Sequence, residues 1–503
     1  MKRADETERG DIMKLLKSIL LASGATLALV AGAQAADLPT KKAPATPTAI
    51  NCFASFYDYM NSTADECPLT WKGITLYGTI DVGGGYESHG VAWNRQYPTG
   101  VEELVSKNGQ GGHWTVVPGG ISQSVVGVKI NEPVFGDWSV VGKAETGFDP
   151  YSLQLANGPG AQVTNNANLL QNQNGNGDSS RAGQWDNSQG YVGISNKTFG
   201  TLTFGRQNSL TLDGVNAYDP MGGSYAFSPI GYSGAAAGVG DTEDARSNTA
   251  FKYNVVAGSF RASALAQAGG FEQGNGSNGA YEVGLGGDFY GFSVDGIYSY
   301  VKDAVSLANF STGFAVAPAA RMGDLKATLS DDSSVMLLGK YTWGSLKLFG
   351  GYEYIRFQNP SDAYPGGFTA IGNITVPAGQ VTSTAYINNR QLQIFWAGAK
   401  YAILSNLDIV GAYYHYNQNN YSLAGTNCGS NVTPAAPGYS PQGAANSKCA
   451  GTLDAVSAMI DYRPLKRIDL YAGFMFSQVG GGLANGYLHS NNIDPTIGLR
   501  VKF

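Results

Sequence analysis

Charge is scarce in this chain. Asp, Glu, Lys and Arg make up 14% of its 503 residues, against roughly 25% in soluble domains. Basic charge is scarcer still. Residues 1–35 hold five Lys/Arg and four Asp/Glu, which leaves the rest at −7 against −6 for the whole chain. That acidity excludes a broad nucleic-acid surface. Long apolar runs are missing after residue 35, so no membrane helix is predicted. The four histidines, His89, His113, His415 and His489, are scattered, and there is no Walker, HExxH or GxSxG pattern. Nothing in the sequence therefore calls for a cofactor, and no catalytic set is assembled. The four cysteines lack CxxC spacing and have no histidine beside them, which argues against a metal site.

Glycine and tyrosine are plentiful, at 69 and 29 residues. The last eight residues, Thr496 to Phe503, alternate strictly. Ile497, Leu499, Val501 and Phe503 share one face; Thr496, Gly498, Arg500 and Lys502 share the other. A period of two marks a strand with one apolar and one polar face. Ile74, Leu76, Gly78, Ile80 and Val82 repeat the pattern against Thr75, Tyr77, Thr79 and Asp81. Fifteen such segments precede the terminal one. Short connections such as Trp343-Gly344 and Leu404-Ser405 alternate with long ones such as 88–119, 149–186 and 209–246. This layout predicts an all-β, 16-stranded antiparallel transmembrane barrel with short turns at one rim and long loops at the other. An even count lets the last strand pair with the first and removes the sheet edges. Low charge without helical spans fits, because a barrel hides its apolar residues by alternation. Leu499→Arg is expected to cost about 2–4 kcal/mol near the bilayer midplane, whereas Arg500→Gln, facing water, should cost little.

The chain opens with a secretory signal. Lys14 and Lys17 follow Met13, Ile19 to Ala31 is apolar, and Ala33-Gln34-Ala35 is a small-x-small cleavage site. The mature start is placed at Ala36 and the preferred initiator at Met13. Residues 1–35 are thus extension plus signal, 36–72 a periplasmic segment, and 73–503 the barrel. Export places the cysteines in an oxidising compartment. Local pairing, Cys52 with Cys67 and Cys428 with Cys449, is the simplest of three connectivities. A loop of about 15 residues gains roughly 3 kcal/mol in the chain-entropy account.

Cys52…Phe56-Tyr57…Cys67 followed by Gly73-Ile74-Thr75-Leu76-Tyr77-Gly78 is similar to alphaproteobacterial porins, and further passages resemble the general diffusion porins of Gram-negative outer membranes. Gly190-Tyr191-Val192-Gly193-Ile194-Ser195 followed by Phe199-Gly200-Thr201-Leu202-Thr203-Phe204-Gly205-Arg206-Gln207 is similar to the family hairpin "YVGL…FGTVTLGRQ". Glu145-Thr146-Gly147-Phe148 resembles "ESGF", and Asp244 to Tyr253 resembles "RxxNSVKY". The resemblance implies passive diffusion of small hydrophilic solutes and ions and a homotrimer in the outer membrane. It also implies contact with lipid and lipopolysaccharide, and assembly by the barrel-assembly machinery with Phe503 as signal. The third extracellular loop, 209–246, is expected to fold into the pore. Its acids Asp213, Asp219, Asp241, Glu243 and Asp244 would then oppose Arg206, Arg246, Lys252 and Lys129 on the wall. Opposed charges across a narrow gap set up a transverse field, tilted here toward cations by the number of loop acids. Arg206 shares parity with lipid-facing Leu202 and Phe204, so it reaches the lumen only if the strand bulges near Gly205.

Two other readings remain from the residues. A solute-specific channel would use aromatic tracks, which the tyrosines could supply. A barrel enzyme would need a nucleophile with an acid–base partner; His415, near the outer end of a strand, is read instead as a rim or girdle residue.

Overall fold

The computed structural model describes residues 52–90, 107, 109, 111–153, 155, 188–230, 246–268, 279–308, 326–361, 370–371, 374–375, 381–421, 449–484 and 489–503. The signal segment, Asp241, Glu243, Asp244 and Cys428 lie outside them.

Sixteen antiparallel strands close on themselves. In chain order they are β1 (Ile74–Glu87), β2 (His113–Pro118, resuming as Val125–Phe135), β3 (Trp138–Gly147), β4 (Gly190–Asn196), β5 (Gly200–Asn208), β6 (Arg246–Ala257), β7 (Phe260–Gln267) and β8 (Gly279–Phe289). The second half comprises β9 (Phe292–Ala308), β10 (Lys326–Trp343), β11 (Leu346–Gln358), β12 (Arg390–Leu404), β13 (Leu407–Gln418), β14 (Gly451–Leu465), β15 (Ile468–Gly481) and β16 (Asn491–Ile493, resuming as Thr496–Lys502). Each pairs with its neighbours, and β16 pairs back onto β1 from Thr79↔Lys502 to Gly85↔Thr496. Closure satisfies the backbone at every strand edge, as the bilayer demands.

The alternation runs as predicted. Ile74, Leu76 and Ile80 of β1 are exposed on the outside, while Asp81 is buried inside. On β16, Ile497 is 66% exposed and Thr496 is 4%.

One stretch of the interior departs from a simple polar lining. Leu392, Ile394 and Trp396 of β12 point inward and are at most 3% exposed, as are Val410, Tyr414 and Tyr416 of β13. They form a continuous apolar cluster with Met336 and Leu338 of β10. Something inside the barrel must cover this wall.

The two ends of the described chain meet at the seam. Phe503 and Gly78 exchange backbone hydrogen bonds at 3.0 Å in both directions. A Cβ on Gly78 would lie 2.3 Å from the Phe503 ring, so only glycine leaves room for the terminal aromatic. Beyond Phe503 the edge of β1 would be bare. A short strand, Leu69–Trp71, fills the gap by pairing Leu69↔Leu76, Thr70↔Thr75 and Trp71↔Ile74. Just before it, helix α1 (Phe56–Met60), capped by Ser55, sits in a loop closed by the Cys52–Cys67 disulfide. Arg467, in the β14–β15 turn, is 1% exposed and donates to the carbonyls of Tyr59, Thr63 and Cys67. Lys466 beside it pairs with Glu66 at 2.9 Å. Cys449 is also disulfide-bonded; Cys428, the partner expected for it, falls outside the described residues.

Candidate functional site

The loop after β5 turns inward. Ser209 caps a helix, α2 (Leu210–Tyr218), by accepting from Leu212 N–H at 3.1 Å, and Asp213 sits in its first turn, where a carboxylate is favoured. Leu210, Gly214, Val215 and Tyr218 form its buried face. Gly214 lies against the wall: a Cβ there would be 2.8–3.2 Å from Leu338, Ile297 and Met336. α2 therefore covers the apolar wall on β9 and β10.

The loop continues round the interior. Trp396 Nε1 donates to the Tyr218 carbonyl at 3.1 Å, and Tyr414 Oη donates to Asp219 at 2.6 Å. Arg261 of β7 binds Asp295 at 2.8 Å and donates to Tyr218 Oη at 2.6 Å. Farther on, the Phe227 ring meets Tyr471 edge-on at 6.1 Å between centroids, and Ala226 N–H donates to the Gly120 carbonyl in the break of β2. The segment 209–230 thus traverses the lumen, anchored at both sides, and narrows the passage.

Three of the expected charges come together where the loop starts. Lys252 of β6 forms an ion pair with Asp213, and its ammonium also donates to the Asn208 carbonyl at 2.9 Å. Arg246 Nε donates to Asn208 Oδ1 at 3.1 Å, and Asn208 Nδ2 donates to Asp213 at 3.1 Å.

The other expected residues are placed differently. β5 does bulge: its register with β6 shifts between Gly205 and Gln207, and Gly205 adopts a φ of +137°, open to glycine. Beyond the bulge it is Gln207 that turns in beside Thr203, with Nε2 donating to the Ala250 carbonyl. Arg206 is half-buried and donates to Asn248 at 2.6 Å. Lys129 belongs to another cluster, directly opposite Lys143 and 5.9 Å above the Tyr77 ring.

Asp219 corrects the expectation of a pore-facing acid. It is 2% exposed, accepts from Tyr414 and from Gly223 N–H, and fastens the loop. Burial raises its carboxyl above the ordinary value. The expected tilt toward cations thereby loses one of its contributors, and Asp213 is already paired.

Several lumen charges went unmarked in the sequence. Glu145 accepts from Tyr77 Oη at 2.8 Å and pairs with Lys143 at 3.0 Å; its place in a quoted motif was the available signal. At the short-turn rim, Asp408 binds Lys400 and Arg463 at 2.8 Å each, Asp461 binds Arg463 at 2.7 Å, and Asp469 binds Arg500 at 2.8 Å. Arg500 is therefore the partner of a buried carboxylate, and its replacement should cost more than its wet face suggested. Among the histidines, His415 pairs with Asp454 at 2.8 Å and His89 stacks on His489 at 4.0 Å. Among the described residues no group of His, Cys, Asp or Glu is arranged to hold a metal.

A closed sixteen-stranded barrel with an apolar exterior, and a lumen crossed by an anchored loop, defines an outer-membrane channel. The Gram-negative porin profile matches residues 22–482, and the chain belongs to that family. Among solved structures it is similar to an anion-selective porin from Comamonas acidovorans, with a TM-score of 0.51 at 14% identity over 86% of this chain and 99% of that one. It is also similar to a loop L8 deletion mutant of OmpT, an outer membrane protein of Vibrio cholerae, with a TM-score of 0.50 at 13% identity over 86% and 99%. No curated protein matches it. The chain is an outer-membrane porin for passive diffusion.

Proposed function

We propose that this porin passes small hydrophilic solutes and ions without chemistry, and that its selectivity is set by the charges around segment 209–230. The observation that carries the reading is that segment, laid across the lumen and tied to opposite walls by Trp396, Tyr414 and Gly120. A fixed narrowing lined by charge sorts solutes by size and sign and requires no energy source. Lys252, Arg246 and Asp213 form one charged side of it. The inward tyrosines Tyr414, Tyr416 and Tyr471 are at most 2% exposed, so these three offer no face to a passing sugar. His415 is paired on a strand end, which disfavours a hydrolytic site.

The rest of the reading follows the family. The protein is exported through a cleaved signal, assembles as a homotrimer through the barrel-assembly machinery, and meets lipopolysaccharide on its outer face. Single-channel recording in a planar bilayer tests the function. Stepwise ohmic currents in potassium chloride are expected; folded protein that gives none overturns the proposal. Assay of the same preparation against phospholipid and peptide substrates tests the absence of hydrolysis.

A further inference from the structure

We propose that the stacked rings of His89 and His489 form an acid-sensitive latch, which fastens the long-loop end of the closing seam at neutral pH and releases it as the medium turns acidic. The two rings lie 4.0 Å apart between centroids and 11° from parallel. His89 follows the end of β1 and His489 precedes the start of β16, so the stack joins the first strand to the last just beyond their ladder. The backbone around it is tied in the same way. Ser88 Oγ and the N–H groups of His89 and Gly90 all donate to Asn492 Oδ1, at 3.1, 2.9 and 3.1 Å. Gly109 N–H donates to the His89 carbonyl at 2.7 Å, and His489 N–H donates to the Lys107 carbonyl at 3.0 Å.

Both rings are set up to be neutral. His89 Nδ1 lies 2.8 Å from the Asn491 carbonyl. A carbonyl can only accept, so Nδ1 carries the hydrogen and Nε2 is bare. His489 Nε2 is buried with no hydrogen-bond partner among the described residues, and the ring binds the Gly109 backbone instead. A proton added at His489 Nε2 becomes a buried donor with nothing to accept it. A further proton on His89 would set two like charges face to face across the stack.

Nearby charges do not offset this. Glu87 closes β1 and stands opposite His113 in register. Asp494 and Lys107 are each 1% exposed, and the carboxylate acts on the ammonium. None of these four groups acts on His489. Its pKa is lowered from 6.5 by burial first and by His89 second, against the opposing Gly109 bond. The folded protein thus holds this proton less tightly than the unfolded chain does. The latch is complete above 6.5 and is lost as pH falls through the folded value.

Amide hydrogen exchange of the full protein in detergent micelles tests the latch. It is read by mass spectrometry between pH of about 7.5 and about 5, the range in which histidine changes charge, and corrected for the intrinsic rate at each pH. Protection of peptides spanning 88–90 and 489–493 should fall severalfold toward the acid end, while peptides of β9 and β10 keep theirs. His489→Phe keeps a ring on the stack and removes the proton site, so its protection should be level across the range. Level protection in the wild type, or an undiminished acid response in His489→Phe, would overturn the proposal. Should the variant fail to fold, the wild type decides: a fall shared equally by β9 and β10 would mark general loosening and overturn the latch. Conduction is not part of the readout, so each outcome leaves the channel reading where it stands.

Discussion

Tyr414 on β13 donates its hydroxyl hydrogen to Asp219 at 2.6 Å, joining the barrel wall to the inward loop across 195 residues of sequence. The contact is buried on both sides. A buried hydrogen bond to a carboxylate is worth about 1.5–3 kcal/mol. Tyr414→Phe should release that much from the loop and leave the strands intact. Open-channel noise should rise while thermal unfolding of the barrel shifts little; unchanged noise would show that Trp396 and Arg261 suffice.

Burial of the same carboxyl gives the seated loop a pH dependence, outweighing the Tyr414 bond, which by itself favours the ionised form. Burial holds the Asp219 pKa above its ordinary 3.8, so the folded state binds the proton more tightly than the unfolded chain. The stabilisation is complete below the unfolded value and is lost as pH rises through the folded one. Current noise in the wild type should therefore grow as pH climbs out of the acid range. Asp219→Asn should flatten that dependence, and a wild-type trace equally quiet throughout would contradict it.

Arg467 carries more than its place in a short turn suggests. It satisfies three carbonyls of the Cys52–Cys67 loop. Arg467→Gln strands several of them and should destabilise the detergent-refolded barrel by about 3 kcal/mol. Opening the disulfide with Cys52→Ser should free α1 to limited proteolysis. A protease-resistant N-terminal segment in both variants would refute the clasp.

At the seam, Gly78→Val places a side chain where the Phe503 ring lies. Outer-membrane levels should fall, and deletion of Phe503 should lower them similarly. Since both changes strike one contact, the double variant should be no worse than either single; additive losses would mean that the two residues act separately.

Selectivity should follow the cluster at the start of the loop. Arg246→Gln and Lys252→Gln each remove positive charge beside Asp213, so the zero-current potential across a salt gradient should move toward cation preference. Asp213→Asn should move it the other way. Both shifts should shrink as the screening length falls from roughly 10 Å at 0.1 M to about 3 Å at 1 M. An unmoved potential in Arg246→Gln at low salt would place Arg246 outside the narrow part of the pore.

Much of the barrel was legible because alternation is a local property. Thr496 to Phe503 declares its two faces without reference to any other strand, whereas the parity of Arg206 left a bulge near Gly205 as one of two outcomes. The apolar inner wall was not legible. In Arg390–Leu404 both parities carry large apolar residues, Leu392 and Ile394 on one and Phe395 and Tyr401 on the other, so period alone does not say that one set lies under a loop. Asp219 failed for a related reason: an acid in an inward loop has the same sequence whether it faces water or a tyrosine. The opposed pairs Lys129/Lys143 and Lys347/Lys400 depend on register between strands, which no single segment contains.

The strand Leu69–Trp71 turns the seam into a matter of timing. It lies on the edge of β1 just past the point where the chain's final residue docks. One half of the closing edge is thus in place from the start of the barrel, and the other half arrives with β16, its last strand. Contacts such as Ser88 with Asn492, 404 residues apart, have to wait for that arrival. Among the contacts of the wall they close the longest loops and are expected to form last. A nascent barrel is therefore an open sheet with one short, prepared landing site, and water-tightness is a property it acquires only at the end.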